Sequence, residues 1–297
     1  MGLARLEHHP PITIVGAGVI GLTCAHALSE AGHRVSVVAG YAPSVSEVAG
    51  GLWLPYASGD SDDVLRWAMD TLPWLEQRGH HSRPYLHLEQ EVPWWLPALG
   101  SHRARPARRD ELPAGYERGW LCNVPLVAMR RHLDSLRSVM IARAMVRSLD
   151  EISGIVVNCT GLGARELAGD DQMIAERGQV AYVRAPPDTP CLCDEDQLIY
   201  VLPHEDACVV GGTNERGDED DTVRDEQTEI LLARARKIVP ELASAQLLGA
   251  RAGLRPARLG GPRVERVDRI IHCYGHGGAG VTLSWGCAQE VVKLAAG

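Results

Sequence analysis

The chain has 297 residues, 45% of them hydrophobic and 23% charged, proportions of a folded globular protein that exclude an extended disordered chain. The 38 acidic and 30 basic residues leave a net charge of −8 with no long basic block, which excludes a nucleic-acid partner because phosphate binding needs a positive footprint. Apolar runs fall far short of the roughly 18 residues of a membrane span, and Met1 to Pro11 holds no apolar signal core, so a soluble cytoplasmic protein of one large domain or two ordinary ones, without a membrane partner, is expected.

Ile12 to Val15 is a short apolar run followed by Gly16-Ala17-Gly18-Val19-Ile20-Gly21. A helical pattern then runs from Leu22 to Ala31, Gly32 stops it, and Val35 to Val38 reads as a second buried strand. Strand, glycine turn, helix and strand in this order form the context that a dinucleotide fingerprint requires. Gly16 permits the tight turn, Gly18 lets the backbone approach a pyrophosphate, and Gly21 lets the helix pack on the strand. The helix start at Val19 and Ile20 brings N–H groups and a positive dipole to the phosphates. The fingerprint alone leaves NAD, NADP and FAD open, but Ala39-Gly40 stands where an NAD site carries its acidic ribose ligand.

Tyr56 to Trp120 is rich in Trp, Pro and Arg and reads as an irregular or antiparallel segment outside the parallel sheet, with Arg103 to Arg109 as a solvated basic loop. A helix is expected from Pro125 to Leu136, then a buried strand at Ile155 to Val157 ending in Asn158-Cys159-Thr160-Gly161. Strands follow at Gly178 to Val183, Ile199 to Leu202 and Ala207 to Gly211, and a helix from Asp225 to Val239. Ile270 to His272 is a strand that leads into the glycine loop Gly275 to Gly280 and a helix from about Thr282 to Ala296. A second glycine loop opening a second helix suits a cofactor with two demanding ends, and this helix start would stabilise the anionic edge of a reduced flavin. The eight cysteines at 24, 122, 159, 191, 193, 208, 273 and 287 include no C-x-x-C pair. Reduced thiols packed as small hydrophobes are expected, with neither a disulfide framework nor a metal site.

Five blocks in order resemble the D-amino-acid oxidase family of FAD enzymes: VGAGVIGL (15–22), VAGGLWLPY (48–56), VVNCTGLGARELAG (156–169), RGQV (177–180), and GLRPAR (253–258) paired with HCYGHGGAGVTLSWGCA (272–288). The resemblance runs over nearly the whole chain and is that of a bacterial member. It implies an α/β fold: a Rossmann-like FAD-binding domain from 1–55, 125–170 and 265–297, and an α+β substrate domain on an antiparallel sheet from 56–124 and 171–264. It further implies FAD as cofactor and an amino acid and oxygen as small-molecule partners; a homodimer is left open. By the same resemblance Arg255 pairs with the substrate carboxylate, which suits a bidentate guanidinium fork. Tyr200 also touches that carboxylate, and the Gly278 carbonyl receives the amine. Thr282 is placed on the flavin pyrimidine edge, Ser44 and Ser46 near the adenosine and pyrophosphate, and Gly51 and Leu52 close to the isoalloxazine. Gly277, Gly280 and Val281 belong to the same cofactor loop.

The implied activity is oxidative deamination of D-amino acids with neutral or apolar side chains, by hydride transfer from Cα to flavin N5, giving 2-oxo acids, ammonia and hydrogen peroxide. The sequence departs from the family at Asp196, where a lid tyrosine is common, and the stretch Cys191 to Gln197 is short and acidic. More open access is expected there; Asp194, Glu195 and Asp196 near the entrance would favour cationic substrates if they faced the site, but the expectation for an acidic loop is that they are solvated. Alternatives are a glycine or sarcosine oxidase of the same fold, or a specialised FAD protein without general D-amino-acid turnover.

Overall fold

The structure, a computed structural model, describes residues 10–56, 58–137 and 139–297; the reading of the N-terminal segment through residue 9 lies outside the described residues. β1 (Ile12–Val15), α1 (Val19–Glu30) and β2 (Val35–Ala39) open the chain. Next come α2 (Asp62–Gln77), β3 (Ser82–Leu88), α3 (Leu96–Leu99), β4 (Ala104–Pro106) and β5 (Trp120–Pro125). α4 (Met129–Leu136), β6 (Ile141–Arg143), β7 (Ile155–Asn158) and α5 (Ala164–Leu167) follow. The second half holds β8 (Met173–Arg184), β9 (Leu192–Asp194), β10 (Ile199–Pro203), β11 (Cys208–Gly211), β12 (Glu215–Arg216) and α6 (Asp225–Ile238). β13 (Gln246–Arg258), β14 (Arg263–Val267), β15 (Ile270–Tyr274) and α7 (Gly280–Ala296) complete it.

Among the described residues the strands form two sheets. A six-stranded sheet has the order β14-β15-β7-β1-β2-β6, parallel except for the β14–β15 pair. Its central strands are buried on both faces, which is why ITIV and IVVN read as unbroken apolar runs rather than alternating ones. The nine-stranded sheet runs β12-β8-β11-β10-β9-β3-β5-β4, with β13 along the length of β8. It is antiparallel except where β3 meets β9. Leu231, Leu232, Ala235 and Ile238 of α6 cover one face of it over Ala181, Val183, Val201 and Val210. α1 ends as the sequence suggests: Gly32 adopts a φ of 87°, and the His33 N–H returns to Leu28 O at 3.0 Å, a left-handed cap of the kind glycine favours.

The segment from Tyr56 to Trp120 lies outside the parallel sheet and supplies the antiparallel strands β3, β4 and β5, as the second of the two expectations had it; the helix α2 that precedes them was not foreseen. Ser61 caps α2 by accepting from Val64 N at 3.3 Å, and Asp62 and Asp63 occupy its first turn. Pro73 lies inside the helix without ending it, because α2 is clamped on α7. Trp74 stacks on Trp285 with ring centroids 4.7 Å apart, and the Gly286 N–H donates to Thr71 Oγ1 at 3.0 Å. The basic run is corrected as well: Arg103 forms a two-pronged pair with Glu76 at 2.8 and 2.9 Å, and Arg105 pairs with Glu111. All eight cysteines are free and buried. Their scattered positions concealed one grouping, since Cys24, Cys159 and Cys273 bring their sulfurs within 4.8 Å of one another.

Candidate active site

The glycine turn after β1 is shaped by collisions it avoids. Gly16 has φ 114°, a region side chains rarely enter, and a methyl there would overlap the Cys159 carbonyl, 2.8 Å from its carbon. A methyl on Gly21 would overlap Gly16 O and stand 2.9 Å from its carbonyl carbon. Gly21 therefore seats α1 on β1 from behind and does not line the cavity, whereas Gly16, Gly18, Val19 and Ile20 do. Ser44 and Ser46 complete this end of the cavity. Ser44 Oγ accepts from Ser46 N at 3.2 Å, and Ser46 Oγ accepts from Val19 N at 3.1 Å, so one N–H of the α1 start is already bonded within the protein. A side chain on Gly18 would press on both hydroxyls, at 3.1 and 3.4 Å.

The cavity, of about 620 Å³, runs from this turn to the turn before α7. Gly51, Leu52, Gly277, Gly280 and Val281 line it between the two. Gly51 has φ 82°, and its carbonyl accepts from Val127 N at 2.8 Å. Thr282 is the predicted residue that the structure places differently. It is fully buried, its hydroxyl accepts from Leu54 N at 3.0 Å, and its single proton goes to Leu54 O at 2.9 Å. In this arrangement the hydroxyl ties the 51–55 segment to α7 rather than facing the cavity.

At the far end, Arg255, Tyr200 and Gly278 come together in the wall from three distant stretches. The Arg255 guanidinium lies over Gly178 of β8, where a methyl would sit 2.5 Å from Nη1, and Nη1 donates to Thr213 O at 2.8 Å. The Tyr200 ring lies against Gly211 and Gly212. Burial raises the pKa of its phenol, opposed by the charge of Arg255. Tyr56, unassigned by the sequence reading, packs on Gly278, whose added methyl would be 2.6 Å from Cδ1. Its hydroxyl accepts from Asn214 Nδ2 at 3.1 Å, and burial pushes its pKa up to about 12, so it keeps a proton to donate to a bound acceptor at neutral pH. The only sequence signal for Tyr56 was its place at the end of VAGGLWLPY.

The block RGQV works by strand alternation. Arg177 is fully buried and donates to Asp220 O, Thr222 O, Glu215, Gln227 and Gln179 at 2.6–2.8 Å. Gln179 donates to Thr228 Oγ1 and Arg224 O, both at 2.8 Å. These two side chains bind the 215–228 segment behind β8 and leave Gly178 and Val180 for the cavity side.

The acidic stretch is not a solvated loop. Asp194 is buried and accepts from the Tyr116 hydroxyl and from Gln197 N. Asp196 accepts from Gln90 N at 2.9 Å, and Glu195 lines the cavity.

Two glycine turns, each opening a helix of a parallel sheet, with one cavity between them, define a dinucleotide-binding protein of the doubly wound class. Residues 11–294 match the DAO family, described as FAD dependent oxidoreductase, and the chain belongs to that family. It is 36% identical to a D-amino-acid oxidase of Rubrobacter xylanophilus, with 95% of this chain and 94% of that protein covered. It is 35% identical to a D-amino-acid oxidase of Streptomyces coelicolor, with 97% and 98% covered. Among solved structures, glycine oxidase from Geobacillus kaustophilus superposes with a TM-score of 0.81 at 19% identity, covering 98% of this chain and 95% of that one. The protein is accordingly an FAD-dependent oxidoreductase. The residues fit the cofactor: the Gly18 cradle, the α1 start and the serine pair suit its pyrophosphate, and the cavity continues to the α7 glycine turn.

Proposed function

We propose that the enzyme oxidises D-amino acids, with oxygen and water, to 2-oxo acids, ammonia and hydrogen peroxide. The observation that carries this reading is the Arg255 guanidinium, held in the cavity wall between Gly178 and the Thr213 carbonyl. It presents a two-pronged donor to an α-carboxylate. Tyr200 and the protonated Tyr56 supply further donors beside it, and the Gly278 carbonyl is the acceptor for the amine. FAD, when bound, supplies the two-electron acceptor. These contacts fix two substituents of Cα, the carboxylate and the amine; the space left for the side chain then decides which enantiomer directs its C–H bond at the cofactor, and positioning carries much of the rate. The D assignment is supported by the names of the two bacterial relatives. The reading places the enzyme in the cytoplasm, in keeping with its eight free buried thiols.

A second reading is an oxidase of glycine or sarcosine, motivated by the fold shared with glycine oxidase. Hydrogen peroxide release by the FAD-loaded protein, compared across D- and L-amino acids, glycine and sarcosine, separates the two. Turnover restricted to D-enantiomers is expected. Preference for glycine or sarcosine would establish the second reading, and turnover of L-enantiomers alone would overturn the first.

A further inference from the structure

Glu195 lies in the turn between β9 and β10, and its backbone is fixed from outside the cavity. Its N–H donates to Leu88 O at 3.1 Å. The flanking Asp194 and Asp196 are held by Tyr116, Gln197 and Gln90. Asp194 and Glu195 both border the cavity, but the Asp194 carboxylate is already taken up by Tyr116 and Gln197, which leaves Glu195 as the carboxylate of this turn free to meet a ligand.

That carboxylate is poorly matched by the protein. Its hydrogen bond comes from Cys193 Sγ at 3.5 Å, a weak donor, and it forms no ion pair among the described residues. His87 is near enough to act on it, but both ring nitrogens are engaged, Nδ1 with the Tyr85 hydroxyl at 3.0 Å and Nε2 with Glu89 at 2.9 Å. Burial raises the pKa of Glu195. A carboxylate withdrawn from water without a counter-charge is costly unless a ligand brings one.

The position of the charge identifies that ligand. Arg255, Glu195 and Glu176 all act on the Tyr56 hydroxyl. Glu176 stands opposite Arg255 across the β8–β13 register; it is buried, with Oε2 lacking a hydrogen-bond partner, and belongs to the carboxylate-binding end. Glu195 approaches from another element, the β9–β10 turn. The cavity thus offers a guanidinium for an α-carboxylate and, beyond Tyr56, a separate carboxylate for a second charged group. On the reading of the preceding subsection, we propose that Glu195 forms an anionic subsite for the distal cation of the substrate, so that D-amino acids with a basic side chain, an ammonium or a guanidinium, are preferred. This replaces the neutral or apolar side-chain preference expected from the sequence and takes up the alternative left open there for the acidic stretch.

The test compares kcat/KM of the holoenzyme for D-lysine, Nε-acetyl-D-lysine and D-norleucine, in the native protein and in Glu195→Gln. Native enzyme is expected to prefer D-lysine over either uncharged analogue by about 10-fold or more, mainly through KM, as fits a desolvated charge pair. In Glu195→Gln the ratio of D-lysine to D-norleucine should fall by about the same factor. A native ratio near or below one overturns the subsite, a result independent of whether the variant folds, and so does a ratio unchanged by the substitution. In both cases turnover of D-norleucine would leave the D-amino-acid reading standing, whereas holoenzyme inactive on every D-amino acid would overturn that reading itself.

Discussion

Replacing Gly178 with alanine tests whether the Arg255 guanidinium is held where a carboxylate needs it. The new methyl would stand 2.5 Å from Nη1 and closer still to Cζ and Nη2, and its nearest neighbours all belong to the far end of the Arg255 side chain. Contacts of this kind settle at about 3.5 Å, so the guanidinium must lift by about 1 Å while the β8 and β13 backbones keep their register. A lift of that size takes the 2.8 Å bond to Thr213 O out of hydrogen-bond range and moves the fork away from Tyr200 and Gly278. Misplacement by about 1 Å costs on the order of 100-fold in rate, so kcat/KM for a D-amino acid should fall about that far, chiefly through KM. The methyl displaces a flexible head rather than backbone, so the melting temperature should move by no more than about 3 °C, equivalent to about 1 kcal/mol. Steady-state peroxide release, flavin content and a thermal melt measure the three quantities. The double variant with Arg255→Ala should be no worse than Arg255→Ala alone, because both act through one group. An unchanged kcat/KM in Gly178→Ala, or a full further loss on the Arg255→Ala background, would refute the reasoning.

Other expectations follow from neighbouring geometry. Gly21→Ala sets a methyl against Gly16 backbone, which cannot yield as a side chain can; about 3 kcal/mol of stability and most of the bound FAD should be lost, read from urea unfolding and from flavin absorbance per protein. Tyr200→Phe should raise KM for carboxylate substrates by about 10-fold, the effect of one hydrogen bond to a charged group, with flavin content unaltered. His132 and His272 are held neutral, burial pulling their pKa values from 6.5 to about 3 and about 4. Their folded pKa values lie below the unfolded ones, so their contribution is complete above pH 6.5 and is lost as pH falls toward those values. Each then removes about 1.4 kcal/mol per pH unit, and His132→Leu should flatten the unfolding free energy between pH 6 and 4 by one such slope; an unaltered slope in that variant would show that His132 does not titrate as described.

The β1-α1-β2 unit was legible in the sequence because its determinants are local: an apolar run, glycines at fixed offsets, and a glycine stop at Gly32. The same locality made the glycine loop before α7 and four of the six strands of that sheet readable, whereas the edge strands β6 and β14 were not foreseen; the five blocks carried the family and its cofactor. α2 depended on distant partners. Pro73 looks like a break until Trp285 and Gly286 of α7 are packed against that helix. Thr282 sits at the start of a helix, as a ligand-facing hydroxyl would, yet Leu54, far away in sequence, takes both its hydrogen bonds. Arg103 looks like one of a row of solvated cations, and only the fold supplies Glu76. The thiols of Cys24, Cys159 and Cys273 meet because α1, the turn after β7, and β15 converge. Nothing local in the sequence separates Glu195 from Asp194 and Asp196; the hydrogen bonds that occupy the carboxylates of its neighbours decide that Glu195 borders the cavity without an ion pair among the described residues. Residue type and local spacing determine which elements form and which cofactor they suit. Which charges are paired, and which side chains reach the substrate, depends on contacts between segments far apart in the chain, and these exist only once the two sheets are packed.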